Sequence, residues 1–397
     1  MDLVQGFLGG LLIGAAAAVT LLGAGEIMGF SGIISPVLRN PISAAQDPSQ
    51  QWKLAFLSTF MLSAYIFLYP TYDADEIENH PSVTSAWAYA ISGLFVGFGT
   101  KLGNGCTSGH GICGMARFSK RSITAVITFM AAAVGTALVT SPDLGIGENF
   151  DFLRRDDIGF MYVPWVMPVV TFLLVVATLY GALTLKKMAP EESRKRLPAA
   201  LAGVVAAGGL TLSQMVYPSV VHGFLDISGL ARKDWDPTLM FVMGGGVTVS
   251  FIAYQFVPGH AVLTSCPKME TSMTGSKFCV PTNTIIDWKL IVGALFFGIG
   301  WGISGLCPGP ALLLTMKGVS GLVLIWWPTF FVGSRIAEFI KDHFSNTPCD
   351  PDACECENAD IPTESTKDTK TQEINLEGST AEFHRDLEQP SGSDSDQ

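Results

Sequence analysis

The segment GFGTKLGNGCTSGHGICG, Gly97 to Gly114, decides how the rest of this chain is read. It carries seven glycines together with Cys106, His110 and Cys113. It follows an apolar run from Trp87 to Phe98 and gives way to Arg117, Lys120 and Arg121. A glycine in a helix interior costs about 0.5–1 kcal/mol relative to alanine, so glycine at this density predicts a tight loop. The N–H groups of such a loop converge on something small, and an anion suits them best. A second segment, GIGWGISGLCPGP from Gly298 to Pro310, repeats the design. Gly97, Gly99 and Cys106 fall on Gly298, Gly300 and Cys307 at a constant offset of 201, and Leu94-Phe95 falls on Leu295-Phe296 at the same offset. Two copies of one loop, each with one cysteine, form the expected functional centre.

Composition sets the surroundings of these loops. The 397 residues are 48% hydrophobic and only 15% charged, with a mean hydropathy of +0.38, whereas soluble domains carry about 25% charge. Several apolar runs approach the roughly 20 residues that cross a bilayer as a helix. The chain therefore reads as an all-α polytopic membrane protein. Its net charge of −11 is concentrated at one end: residues 342–397 hold 15 of the 35 acids and three of the 24 bases. That stretch is polar, acidic and poor in aromatics, the composition of a disordered tail. An acidic tail on a nearly neutral body excludes nucleic acid as a partner. Of eight cysteines, Cys349, Cys354 and Cys356 open the tail, and the other five lie in the apolar part. Cys266 and Cys279 fall in a loop, where a plain buried or surface role is expected.

Nine windows are expected to span: 3–22, 53–70, 86–102, 121–140, 162–185, 198–216, 238–257, 288–304 and 319–340. The first lacks a basic flank and leads into a patterned loop, so it reads as a span and not as a cleaved signal. Lys and Arg favour the segments around Arg39, Arg117–Arg121, Lys186–Arg196 and Lys268–Lys277 on one side, which the positive-inside rule makes cytoplasmic. The N-terminus is then outside and the tail inside. Ser31 and Pro36 after the first span match Ser213 and Pro218 after the sixth. Five spans separate the two starts, an odd number, so the second copy is expected upside down relative to the first. That plan places a substrate site near the midplane where the copies meet, with Gly-rich loops re-entering from opposite faces. Residues 1–185 form the first repeat, 186–197 a basic linker, 198–341 the second repeat and 342–397 the tail.

At these residues the chain resembles the YeeE/YedE sulphur-transport family, the thiosulfate permeases. GNGCTSGHGICG looks like that family's cysteine loop, and the likeness extends through LSQMVYPSVVHGFLDI, DPTLMFVMGGG, FCVPTNTIIDWKL and GIGWGISGLCPGPALL. The resemblance covers nearly all of residues 5–340. It implies a helical transporter with an inverted repeat, short re-entrant helices and a narrow thiosulfate path along which cysteines pass the anion by S–H···S bonding. Two of those cysteines map onto Cys106 and Cys307. A third, near the first span in the family, has no equivalent here, where Glu26 and Ser31 stand instead. The implied partners are the bilayer, a sulphur anion and a cytoplasmic sulphur-carrier protein, with no cofactor and no resident metal.

The chemistry fits that implication. A thiol is a weak donor to a soft sulphur and releases it readily. Backbone N–H groups around Gly105, Gly109 and Gly305 supply contacts to the anion's oxygens, and Thr107, Ser108 and Ser304 add hydroxyls. His110 either donates to the anion or is held by a loop carbonyl. Trp301 and the phenylalanines are expected to pack. Two other classes compete. A soft-metal transporter would use Cys106, His110 and Cys113 as ligands, but the second copy has no histidine near Cys307. A membrane thiol enzyme would want a CxxC pair, which neither loop contains.

Overall fold

In a computed structural model, the described residues are 3–68, 85–140, 170–178, 193–260, 268–316, 319 and 321–344. They belong to one compact unit, Met1–Cys354; the other, Glu355–Gln397, lies outside the described residues. So do Cys266, the tail cysteines and most of the 186–197 linker.

Helices account for the regular structure, and no strand occurs among the described residues. They are α1 (Leu3–Ala18, continued by a π-helical stretch, Val19–Ala24), α2 (Phe30–Arg39), α3 (Gln51–Leu68), α4 (Ala86–Leu102) and α5 (Lys120–Thr140). Then come α6 (Arg196–Leu212), α7 (Pro218–Leu225), α8 (Thr238–Tyr254), α9 (Trp288–Ser304), α10 (Pro308–Thr315) and α11 (Trp327–His343). A π-helical turn, Thr107–Gly114, separates α4 from α5. Eight of the nine expected windows contain a described helix, and 86–102 and 288–304 coincide with α4 and α9. The ninth, 162–185, is described only over its helical residues 170–178. Among the described residues, four helical stretches are long and apolar enough to cross a membrane: Leu3–Ala24, Lys120–Thr140, Trp288–Thr315 and Leu322–His343. Arg196–Leu212 and Thr238–Tyr254 are apolar but shorter.

The most extensive packing is between α3 and α6, α1 and α8, α4 and α11, α4 and α9, α5 and α9, and α1 and α6. These pairings correspond. Exchanging α1 with α6 and α3 with α8 turns the first into the second. Exchanging α4 with α9 and α5 with α11 turns the third into the fifth.

Glycine makes these crossings close, which corrects the expectation of a loop over Gly97–Gly114. Only Gly103–Cys106 lacks helical structure; Gly97 and Gly99 are inside α4, and Gly109, Gly111 and Gly114 lie in the π-helical turn. A Cβ on Gly97 would collide with the Phe330 carbonyl oxygen of α11, and one on Gly298 with the Phe129 carbonyl oxygen of α5. A Cβ on Gly99 would meet α9 at Phe297, and one on Gly300 would lie 2.9 Å from the Ser92 oxygen of α4. The glycines that share the 201 offset therefore do the same work in corresponding crossings. In a membrane, where helices gain little from apolar burial against each other, close van der Waals approach through small residues compensates for glycine's poor helix propensity.

Candidate functional site

Cys106 ends the short loop after α4 and caps the π-helical turn; Cys307 ends the loop after α9 and caps α10. Both are buried, at 1% and 5% exposure. The two segments touch through Thr107, whose Oγ1–H donates to the Cys307 sulphur at 3.5 Å. Cys106 Sγ lies 3.3 Å from Ser108 Oγ, and Ser108 Oγ accepts the Phe30 N–H at the start of α2 at 3.1 Å. Thiol, hydroxyl, hydroxyl and thiol thus converge from two segments 200 residues apart.

Two cavities adjoin the cysteine segments. One, of about 210 Å³, is almost wholly apolar; Thr107, Ser108, Cys307 and Trp301 line it together with five methionines, Met115, Met130, Met215, Met240 and Met243. Trp301 stacks on Phe297 and meets Phe129 edge-on, so it packs as expected. It also forms cavity wall, and its Nε1–H is buried with no acceptor. The second cavity, of about 510 Å³, is polar: Gly105, Gly109 and His110 line it from the first cysteine segment, facing Arg39, Lys101 and Arg117.

The expected amide cradle is narrower than the glycines suggest. Gly103 N–H bonds to the Gly99 oxygen at 2.9 Å and Gly105 N–H to the Thr100 oxygen at 3.0 Å. His110 N–H closes the first helical bond onto the Cys106 oxygen, which leaves the amides of Thr107, Ser108 and Gly109 as the first-turn donors without helical partners. In the second copy Gly305 sits at φ +67° and caps α9 through its N–H to Trp301. Ser304 Oγ donates to the Gly300 oxygen and accepts from Leu306 N–H, so its hydroxyl is used in the same cap. Neither Ser304 nor Gly305 borders the two cavities. The prolines at positions 308 and 310 remove two further donors. The first segment therefore carries most of the polar capacity.

His110 is held at both ring nitrogens, Nε2 3.1 Å from the Gly103 oxygen and Nδ1 3.1 Å from Ser122 Oγ. A carbonyl only accepts, so Nε2 carries the proton and Ser122 donates to Nδ1. The ring also packs where a Gly105 side chain would stand, 2.6 Å from the position of a Cβ there. Cys113 turns to the Met28 oxygen at 3.7 Å. Cys106, His110 and Cys113 thus have separate partners and do not form a ligand set. Among the described residues no group of three or more His, Cys, Asp and Glu side chains is assembled.

Three features of the site were not legible in the sequence. Glu26, an acid in a region expected to pass an anion, pairs with Lys195 at 3.1 Å, both side chains largely buried. Glu338 accepts from Arg39 at 2.7 Å and from Lys101 at 2.9 Å. Cys279 is buried at 8% exposure and lines the polar cavity. The sequence signal for the two ion pairs was only a lone charge near a span end, and no pattern shows which charge meets which.

Two family models match different parts of the chain. Residues 3–137 match a family model described as sulphur transport, and residues 195–347 match a second described as a family of unknown function. A protein of Xylella fastidiosa strain Temecula1 named probable transporter is 34% identical over 123 residues, which cover 31% of this chain and 75% of the relative. Another of that strain, with the same name, is 38% identical over 133 residues, covering 33% of this chain and 89% of the relative.

Proposed function

This chain belongs to the YeeE/YedE-like sulphur-transport family, and we propose that it takes up thiosulfate or a closely related sulphur anion across a membrane. The observation that carries this reading is the contact of the two cysteine segments, the first of which borders both a polar and an apolar cavity. The anion leaves or reaches the polar side by its oxygens, and its soft terminal sulphur passes Cys106 and Cys307. Thr107 and Ser108 bridge the thiols with donors that rotate as the sulphur moves. Thiols hold a soft anion weakly, so each station binds without trapping.

The corresponding helix pairings support two structurally related halves, read here as an inverted repeat made of residues 1–185 and 198–341. The short helices α7 and α10, eight residues each, reach about 12 Å at 1.5 Å per residue, against roughly 30 Å of hydrocarbon. We read them, with α2 and the Thr107–Gly114 turn, as re-entrant. Side assignment is supported by the ion pairs: Arg39 and Lys101 with Glu338, Lys195 with Glu26, and Arg121 with Asp287 at 3.7 Å. Each joins segments that the charge bias puts on the same cytoplasmic side. A sulphur-carrier protein receiving the anion there completes the reading.

Uptake of labelled thiosulfate into vesicles containing the full chain tests it. Cys106→Ser and Cys307→Ser each lower uptake about tenfold or more, the equivalent of about 1.4 kcal/mol at one station, at matched expression. Because both lie on one path, the double variant is little worse than the worse single one. Near-normal uptake in both single variants overturns the thiol path.

A further inference from the structure

Near its C-terminal end α11 sets one carboxylate among three cations. Arg39 Nη1 donates to both Glu338 oxygens at 2.7 Å, and Lys101 Nζ donates to Oε1 at 2.9 Å. These residues come from α2, α4 and α11, and all three line the polar cavity with Gly105, Gly109 and His110. The third cation, Arg335, stands one turn back on α11. It donates Nη1 to Oε2 at 3.1 Å and does not border the cavity. Its side chain is 69% exposed, against 22% for Glu338, 28% for Arg39 and 38% for Lys101. Glu338 therefore shares one oxygen between a cavity cation and a surface cation, and ion pairs this open to solvent are weak. Among the described residues bordering the cavity the acids are Glu26 and Glu338, and Glu26 is matched by Lys195 at 3.1 Å. Arg39, Lys53, Lys101 and Arg117 give the same lining positive charge. An anion is drawn into such a cavity, and Glu338 is the acid that occupies two of its cations.

We propose that Glu338 is an exchangeable carboxylate: a sulphur oxyanion takes its place on Arg39 and Lys101, and Glu338 turns outward to Arg335. This rests on the transport reading above and adds the step by which the anion is held and then released. The carboxylate already marks Arg39 and Lys101 as able to hold two oxygens of one group. A sulphur oxyanion presents several oxygens of the same kind and more charge, so it competes for both cations through charge-assisted bonds. Arg335 lowers the cost of the exchange, because the displaced carboxylate keeps a partner. Return of Glu338 to the two cations then expels the anion. A conducting path needs both properties, binding firm enough to admit the ion and loose enough to let it go.

The test is equilibrium binding of thiosulfate and of sulfate to purified full-length protein in detergent, with thiosulfate flux measured separately in vesicles. Glu338→Gln removes the competitor and tightens binding of both anions by about tenfold. Lys101→Gln weakens both by about tenfold, the scale of a lost charge-assisted bond. Arg335→Gln weakens both by about two- to fivefold, the scale of an exposed ion pair, because Glu338 then has no outward partner. A cluster that only braces the helices behaves differently: Glu338→Gln melts earlier with affinity unchanged or lower, and Arg335→Gln changes nothing. Affinity that is not raised in Glu338→Gln, or not lowered in Lys101→Gln and Arg335→Gln, overturns the exchange. Should Glu338→Gln fail to fold, Arg335→Gln, at an exposed position, decides alone. Absence of binding of either anion to wild type and to Glu338→Gln overturns the site outright, as does binding of thiosulfate without sulfate. The three expected shifts in a protein that carries no thiosulfate uphold the exchange and remove the transport reading.

Discussion

Glu26 shows how one residue's meaning turns on a partner far away in sequence. In isolation a carboxylate in an anion path repels the substrate. With Lys195 at 3.1 Å, the two largely buried charges cancel locally. Breaking a buried pair leaves an uncompensated charge, so Glu26→Gln is expected to cost up to about 3–5 kcal/mol. Replacing both, Glu26→Gln with Lys195→Met, recovers most of that cost. Thermal melting of the three proteins checks this: a single variant as stable as wild type would mean the pair contributes nothing. His110 makes a second case. Its ring joins Gly103 to Ser122 and holds the cysteine turn against α5, so His110→Ala exposes two unmatched partners and is expected to cost about 1–3 kcal/mol. The outcome to look for is lost stability with flux retained in whatever protein remains folded. The sequence left both roles of this histidine open because a loop histidine has the same local pattern either way.

At the scale of elements, the duplicated glycines are positions of helix contact. Gly97 in α4 and Gly298 in α9 leave room for a carbonyl of α11 and of α5 respectively. A methyl group at either forces two helices apart. Gly97→Ala and Gly298→Ala are therefore each expected to destabilise the protein by about 1–3 kcal/mol or more, as overpacking does. Gly135 in α5 supplies the contrast: nothing lies within 4 Å of a Cβ there. Gly135→Ala is expected to be neutral or to stabilise by about 0.5–1 kcal/mol through helix propensity. Melting temperatures in one detergent compare all three. Equal effects at 97 and 135 would mean that close approach does not set the α4–α11 crossing.

For the whole molecule, the charge bias and the ion pairs support the proposed orientation. Met273 is 79% exposed in the segment before α9, and Leu230 is 61% exposed in the segment after α7. The proposed topology puts Met273 in the cytoplasm and Leu230 outside. In a background without other reactive cysteines, an impermeant thiol reagent is expected to label Leu230→Cys on sealed cells and Met273→Cys only after lysis. The reverse pattern inverts the topology and turns the polar cavity outward. Removal of all residues after Phe344 is expected to leave uptake intact, because that acidic stretch carries no apolar periodicity with which to pack into the membrane core. Flux lost from well-folded, correctly delivered truncated protein would show that the tail takes part.

Taken alone, the sequence determined that the chain is helical and where most of its longer helices lie, and it suggested two versions of one plan. Apolar run length and the 201-residue offset are local properties, readable without knowing who meets whom, and they placed Ala86–Leu102 and Trp288–Ser304 to the residue. It also singled out Cys106 and Cys307, which the fold brings to segments that touch through Thr107. It misread the glycines as a loop, because propensity describes an isolated helix, whereas these helices are stabilised by a neighbour's backbone at close range. Tertiary structure alone decided that Thr107 reaches Cys307, that Glu26 meets Lys195 and Arg39 meets Glu338, and that the first cysteine segment borders two cavities of unlike lining. Those outcomes depend on how closely and at what angle helices cross, and a one-residue change in a crossing redirects every side chain beyond it.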